Sequence, residues 1–74
     1  MENYKVYLKV DREKIAFLNS IIEGYEGMAI QRTIDGKEGI VELISTLDFK
    51  KDLEEILRNL KDFLNIEIIK SENF

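Results

Sequence analysis

A chain of 74 residues that is 45% hydrophobic and 35% charged, with four glycines and no proline, fits one compact domain rather than a disordered tail or a fibrous repeat. With no Cys and no His, disulfides, thiol and imidazole catalysis, and the usual zinc and iron constellations are excluded, so no cofactor is expected and only Asp and Glu oxygens remain as metal ligands. A formal net charge of −4 repels phosphate backbones and argues against nucleic acid as a partner, and the lack of a basic leader or of an apolar run of about 18 residues argues against a membrane.

Tyr4, Val6, Leu8 and Val10 alternate with Lys5, Tyr7 and Lys9, which predicts a first strand with one apolar face. Asp11 is placed to cap a first helix over residues 12–23, where Ile15, Leu18 and Ile22 recur at helical spacing and Ala16, Phe17 and Ile21 widen the stripe. Gly24 stands where a left-handed helix end is wanted, and Gly27 closes the connection. Residues 28–35 read as a second strand, with Met28, Ile30 and Ile34 on the inner face, Arg32 among them, and Ala29, Gln31 and Thr33 on the other. Asp35-Gly36-Lys37-Glu38-Gly39 then supplies the glycines of a hairpin loop.

A third strand over residues 40–45 carries Val41 and Leu43 on one side and Ile40, Glu42 and Ile44 on the other, as a central strand would. Asp48 is a second candidate cap, ahead of a helix in which Phe49, Leu53, Ile56, Leu57, Leu60, Phe63 and Leu64 keep helical spacing. Charged pairs at i, i+4, such as Lys50/Glu54 and Glu54/Arg58, mark its solvated side at about 0.3 kcal/mol each. Ile66 and Ile68 face inward from a short fourth strand over residues 66–70, with residues 71–74 expected to fray.

The order strand, helix, strand, strand, helix, strand predicts a single α+β domain over residues 1–74. It is the ferredoxin-like βαββαβ sandwich, a four-stranded antiparallel sheet with two helices on one face, strands one and three being central. That architecture hosts unrelated activities, so function rests on sites. The junction Val10-Asp11-Arg12 lacks both a Cys-x-x-Cys metal motif and a glycine-rich anion loop, and strand three has no aromatic residue on which a base could stack.

What remains is Tyr25 and Glu26, followed by Arg32, Thr33 and Asp35. Gathered at one end of the sheet, these groups would form a small-metabolite site in which Arg32 grips a carboxylate. The plainer reading, which is favoured, has Tyr25 packing over the first helix, Glu26 pairing with Arg32, Thr33 as a strand former and Asp35 starting the turn.

The run Ile22-Glu23-Gly24-Tyr25-Glu26-Gly27, then Arg32-Thr33-Ile34-Asp35 and Gly39-Ile40-Val41, resembles a family of short bacterial proteins of unknown function, domain of unknown function 4911. The likeness covers nearly the whole chain, with Gly24 where that pattern is expected to have Ala. It implies a ferredoxin-like fold and no activity. More distantly the topology is similar to ACT regulatory domains, which commonly dimerise and bind amino acids, although Asp11-Arg12 stands where those domains usually carry a glycine.

The resulting expectation is a cytoplasmic, non-enzymatic interaction or regulatory module that forms a homodimer. The alternative is a small enzyme or metabolite-binding protein using Tyr25, Glu26 and Arg32. The interface is expected on the helix-free face, where alternation collects Tyr7, Ile40, Ile44 and Ile69 among Lys5, Lys9, Gln31, Thr33, Glu42 and Glu67. Edge strand two adds backbone groups that a second copy could satisfy, so edge-to-edge pairing stands beside face-to-face stacking as the mode of association.

Overall fold

The computed structural model describes residues 3–74. In chain order it contains β1 (Asn3–Lys9), a 3₁₀ turn (Arg12–Lys14) running into α1 (Ile15–Glu23), β2 (Ala29–Asp35), β3 (Ile40–Thr46), a second 3₁₀ turn (Leu47–Phe49) running into α2 (Lys50–Leu64), and β4 (Glu67–Asn73). The strands form one antiparallel sheet in the order β2-β3-β1-β4, so β1 and β3 are central and β2 and β4 are edges. This is the α+β, ferredoxin-like arrangement that the order of elements predicts.

Register explains the core. Tyr4, Val6 and Leu8 of β1 sit opposite Ser45, Leu43 and Val41 of β3, and that face meets Leu18 and Ile22 of α1 and Leu53, Leu57 and Leu64 of α2. Both helices therefore cover the same side. Leu8, Leu18, Leu43, Leu53 and Leu64 are completely enclosed, and burial of each stabilises the fold by roughly 1.5–3 kcal/mol. At the far end of the helix layer the Phe17 and Phe63 rings meet edge to face at 5.3 Å, and Lys14 Nζ lies 4.2 Å above Phe63 while donating to its carbonyl oxygen at 2.8 Å.

Several local expectations are corrected. Gly24 ends α1 in right-handed geometry, φ −67°, because its amide still donates to the Ser20 and Ile21 carbonyl oxygens; the left-handed residue of this connection is Gly27, φ 72°. Asp11 and Asp48 make no helix-capping hydrogen bond. Asp11 instead accepts from Asn65 Nδ2 at 2.9 Å, tying the start of the first helical segment to the end of α2, where Asn65 adopts left-handed geometry. Nor do the last residues fray: β4 runs to Asn73, and Asn3 and Phe74 exchange backbone hydrogen bonds of 2.9 Å.

The largest correction concerns β2. Ala29, Gln31 and Thr33 lie opposite Ser45, Leu43 and Val41, hence on the helix side, where Gln31 Nε2 donates to the Ile15 carbonyl oxygen at 3.2 Å. Ile30 and Arg32 lie opposite Ile44 and Glu42 on the helix-free face. The apolar spacing that suggested the opposite is produced by Met28, buried just before the strand, and by Ile34, the extra residue of a bulge between Thr33 and Asp35.

Candidate functional site

Three rows of side chains cross the helix-free face from β2 to β4: Ile30, Ile44, Lys5 and Glu72; then Arg32, Glu42, Tyr7 and Lys70; then Asp35, Ile40, Lys9 and Glu67. Gln31 and Thr33, expected here, point the other way. Tyr7, Ile40 and Ile44 are each half-buried by their neighbours, Tyr7 beneath Lys5 and Lys70, whose Nζ atoms lie 5.9 and 5.2 Å from its ring centre. Their aliphatic stems shield an apolar surface that alternation alone would leave bare. Ile69, the fourth expected interface residue, is half exposed and is the extra residue of a bulge in β4.

At the centre of this face Glu42 is only 2% exposed. Arg32 Nε lies 3.1 Å from Glu42 Oε1, an ion pair whose geometry falls short of an aligned hydrogen bond. Arg32 thus pairs with Glu42 rather than Glu26, because β2 presents it outward. The sequence did carry a signal for this, since Glu42 is the one charged residue between Ile40 and Ile44 on their side of β3.

The five polar residues singled out for a metabolite site do not converge. Tyr25 and Glu26 sit in the connection before β2, lining shallow hollows with Phe49 on one side and with Ile30 on the other. Arg32 faces the open side of the sheet and Thr33 the helix side, where it lines a hollow with Arg12, Asn19 and Gln31. Asp35 Oδ1 accepts from the Lys37 and Glu38 amides at 3.0 and 3.2 Å, which is the turn role of the plainer reading. Among the described residues no group of three or more acids is placed to hold a metal ion, and no helix is long and apolar enough to cross a membrane.

A groove of about 490 Å³ lies between α2 and edge strand β4, and alternation alone does not reveal it. Leu57, Ile66 and Ile68 give it an apolar floor, and Glu54, Arg58 and Lys61 of α2 line it with charge. Ile68 is on the helix side yet 57% exposed, because α2 does not reach out over the edge strand. Tyr4 closes one end, its hydroxyl near Glu54 and Ser71. Burial, and after it the Glu54 carboxylate, push this phenol above its usual value, while Ser71 works in the opposite direction.

A family model described as Domain of unknown function (DUF4911) matches residues 8–63, a span that runs from β1 through nearly all of α2. The chain belongs to this family. For this DUF4911 member, no curated protein and no solved structure shows significant similarity. The family assignment brings the chain a group of relatives and no activity, so the surfaces themselves must carry any functional reading.

Proposed function

We propose that this DUF4911 domain is a non-enzymatic interaction or regulatory module that works by associating with a second copy of itself. The observation that carries this reading is where apolar side chains are left exposed on the sheet. Ile30 and Ile34 lie on β2, and Ile68 and Ile69 on β4, the two strands at the edges of the sheet, whose outer backbone groups have no neighbouring strand among the described residues. Apolar side chains beside unpaired donors and acceptors are what a further strand satisfies on both counts. A chain this short encloses only about 60% of its unfolded surface, so association adds burial that the fold alone lacks. The separation of Tyr25, Glu26, Arg32, Thr33 and Asp35 leaves the metabolite reading with less support.

Light scattering coupled to size separation, across a concentration series, tests the proposal. Twice the chain mass of 8.7 kDa is expected at tens of micromolar, and a constant single-chain mass up to that range overturns it.

A further inference from the structure

Resting on the self-association just proposed, we infer that the second copy docks along β4, antiparallel to it, about a two-fold axis passing between Ile68 and Ile69, so that the groove beside α2 becomes the seam of the dimer.

The register of β4 points to this axis. In a regular antiparallel pair, partners share a face, so residues 67 and 70, separated by an odd number, could not oppose one another. The bulge at Ile69 changes that. Glu67 lies opposite Lys9 and Lys70 opposite Tyr7, which places both on the helix-free face. A two-fold axis midway between them sets Glu67 against Lys70 of the second copy, twice by symmetry. Ile66 and Ser71, both on the helix side, oppose each other in the same way, and Ile68 meets Ile69 at the centre. Charges on an edge strand ordinarily discourage pairing. Here their order makes them complementary to their own copy.

The helix layer repeats the pattern about the same axis. Glu54 lies by Tyr4 and Ser71, near the end of β4, whereas the Lys61 carbonyl oxygen accepts from the Ile66 amide at 2.9 Å, beside its start. The midpoint of Glu54 and Lys61 along α2 therefore falls beside the midpoint of Ser71 and Ile66 along β4, at the inferred axis. Glu54 of one copy then faces Lys61 of the other across the seam. Ile68 of both copies, 57% exposed on the groove floor beside the already buried Leu57 and Ile66, becomes enclosed between the two α2 helices. One axis thus satisfies strand charges, helix charges and the exposed isoleucines together, in a continuous eight-stranded sheet.

Charge reversal on the intact chain tests the seam. Glu67→Lys sets lysine against Lys70, and Lys70→Glu sets glutamate against Glu67, so each single variant should weaken dimerisation by about tenfold or more. The double variant keeps the net charge of −4 and restores both pairs with inverted sign, so its dissociation constant should return to near the parent value. Because the chain has no cysteine, Ile69→Cys provides a second readout: across this axis two copies place that residue within disulfide reach, and mild oxidation should give a covalent dimer. Ile30→Cys, on the opposite edge, should not cross-link. Circular dichroism establishes that each variant is folded; if a charge variant is not, the two cysteine variants decide. A parent dimer that ignores both single reversals, is not rescued by the double one, or cross-links through Ile30→Cys and not through Ile69→Cys overturns the β4 seam while leaving self-association standing. A parent that stays monomeric removes both.

Discussion

Gly27 and Gly39 share nearly the same backbone conformation, φ 72° and 73°, yet Ala at the two positions should have very different consequences. At Gly27 an added Cβ meets no heavy atom of the described residues within 4 Å beyond its chain neighbours, so the effect is conformational. Left-handed geometry disfavours an L-residue by about 1–2 kcal/mol, partly offset by the roughly 0.4–1 kcal/mol that Gly→Ala gains by restricting the unfolded chain. Gly27→Ala should therefore destabilise by about 1 kcal/mol, or about 4–8 °C in melting temperature. At Gly39 the Cβ would fall on the Val10 carbonyl oxygen, well inside contact distance, with the Val10 carbonyl carbon at 3.2 Å and the Arg12 amide nitrogen at 3.4 Å. These are backbone atoms, and the Val10 amide donates to the Gly39 carbonyl oxygen at 2.8 Å, so the two segments cannot part without losing that bond. Overpacking adds roughly 1–3 kcal/mol and the lost hydrogen bond about 1 kcal/mol, for a total of about 3 kcal/mol or more. A domain of this length holds only about 4–11 kcal/mol, so Gly39→Ala should be marginally folded. Urea unfolding of both variants at one protein concentration checks this, since association would otherwise shift the midpoints. Equal losses at the two sites would refute the claim that Val10 packs against Gly39.

Leu57→Ala should lower stability by about 2–5 kcal/mol, toward the lower end because Leu57 borders an open groove that solvent can enter; Leu53→Ala, fully enclosed, should cost more, and denaturant midpoints give the order. Arg32→Ala leaves the Glu42 carboxylate buried without its partner and should destabilise by about 1–2 kcal/mol, moderated because Arg32 itself is largely exposed, and a double-mutant cycle should find coupling to Glu42 and none to Glu26. The Tyr4 phenol is held above its ordinary 10.0 in the fold, so the unfolded chain loses this proton first as pH rises: the stability it contributes is intact below about pH 10 and falls away above it. Tyr4→Phe should flatten that alkaline decline in urea midpoints, and an unchanged slope would show that the hydroxyl is not the group responsible.

The central strands and α2 are legible because the apolar residues that face the helices keep strict periodicity: Val6 and Leu8 flank Tyr7, Val41 and Leu43 flank Glu42, whose own burial on the other face no alternation foretells, and Leu53, Leu57 and Leu64 recur on one side of the helix. In edge strand β2 the apolar spacing points to the opposite face from the one the register gives, for a physical reason. Ile30 is 71% exposed and Ile34 nearly half exposed, so at the margin of the sheet apolar character no longer marks the inner face, and a bulge breaks the alternation at Ile34. Arg32 was the residue at odds with that reading, and its pairing with Glu42 is the resolution. The groove was not legible, because it depends on Tyr4, Glu54 and Ile68, far apart in sequence, meeting only after β4 has paired with β1.

The reciprocal hydrogen bonds between Asn3 and Phe74 place the start of β1 and the end of β4 side by side, at the same end of an antiparallel ladder. Tension applied between these two residues would load the rungs of that ladder one after another, as in a zipper, instead of loading them all at once in shear. Pulled this way, the domain would yield at low force from the β1–β4 end and leave the β2–β3 hairpin to open later.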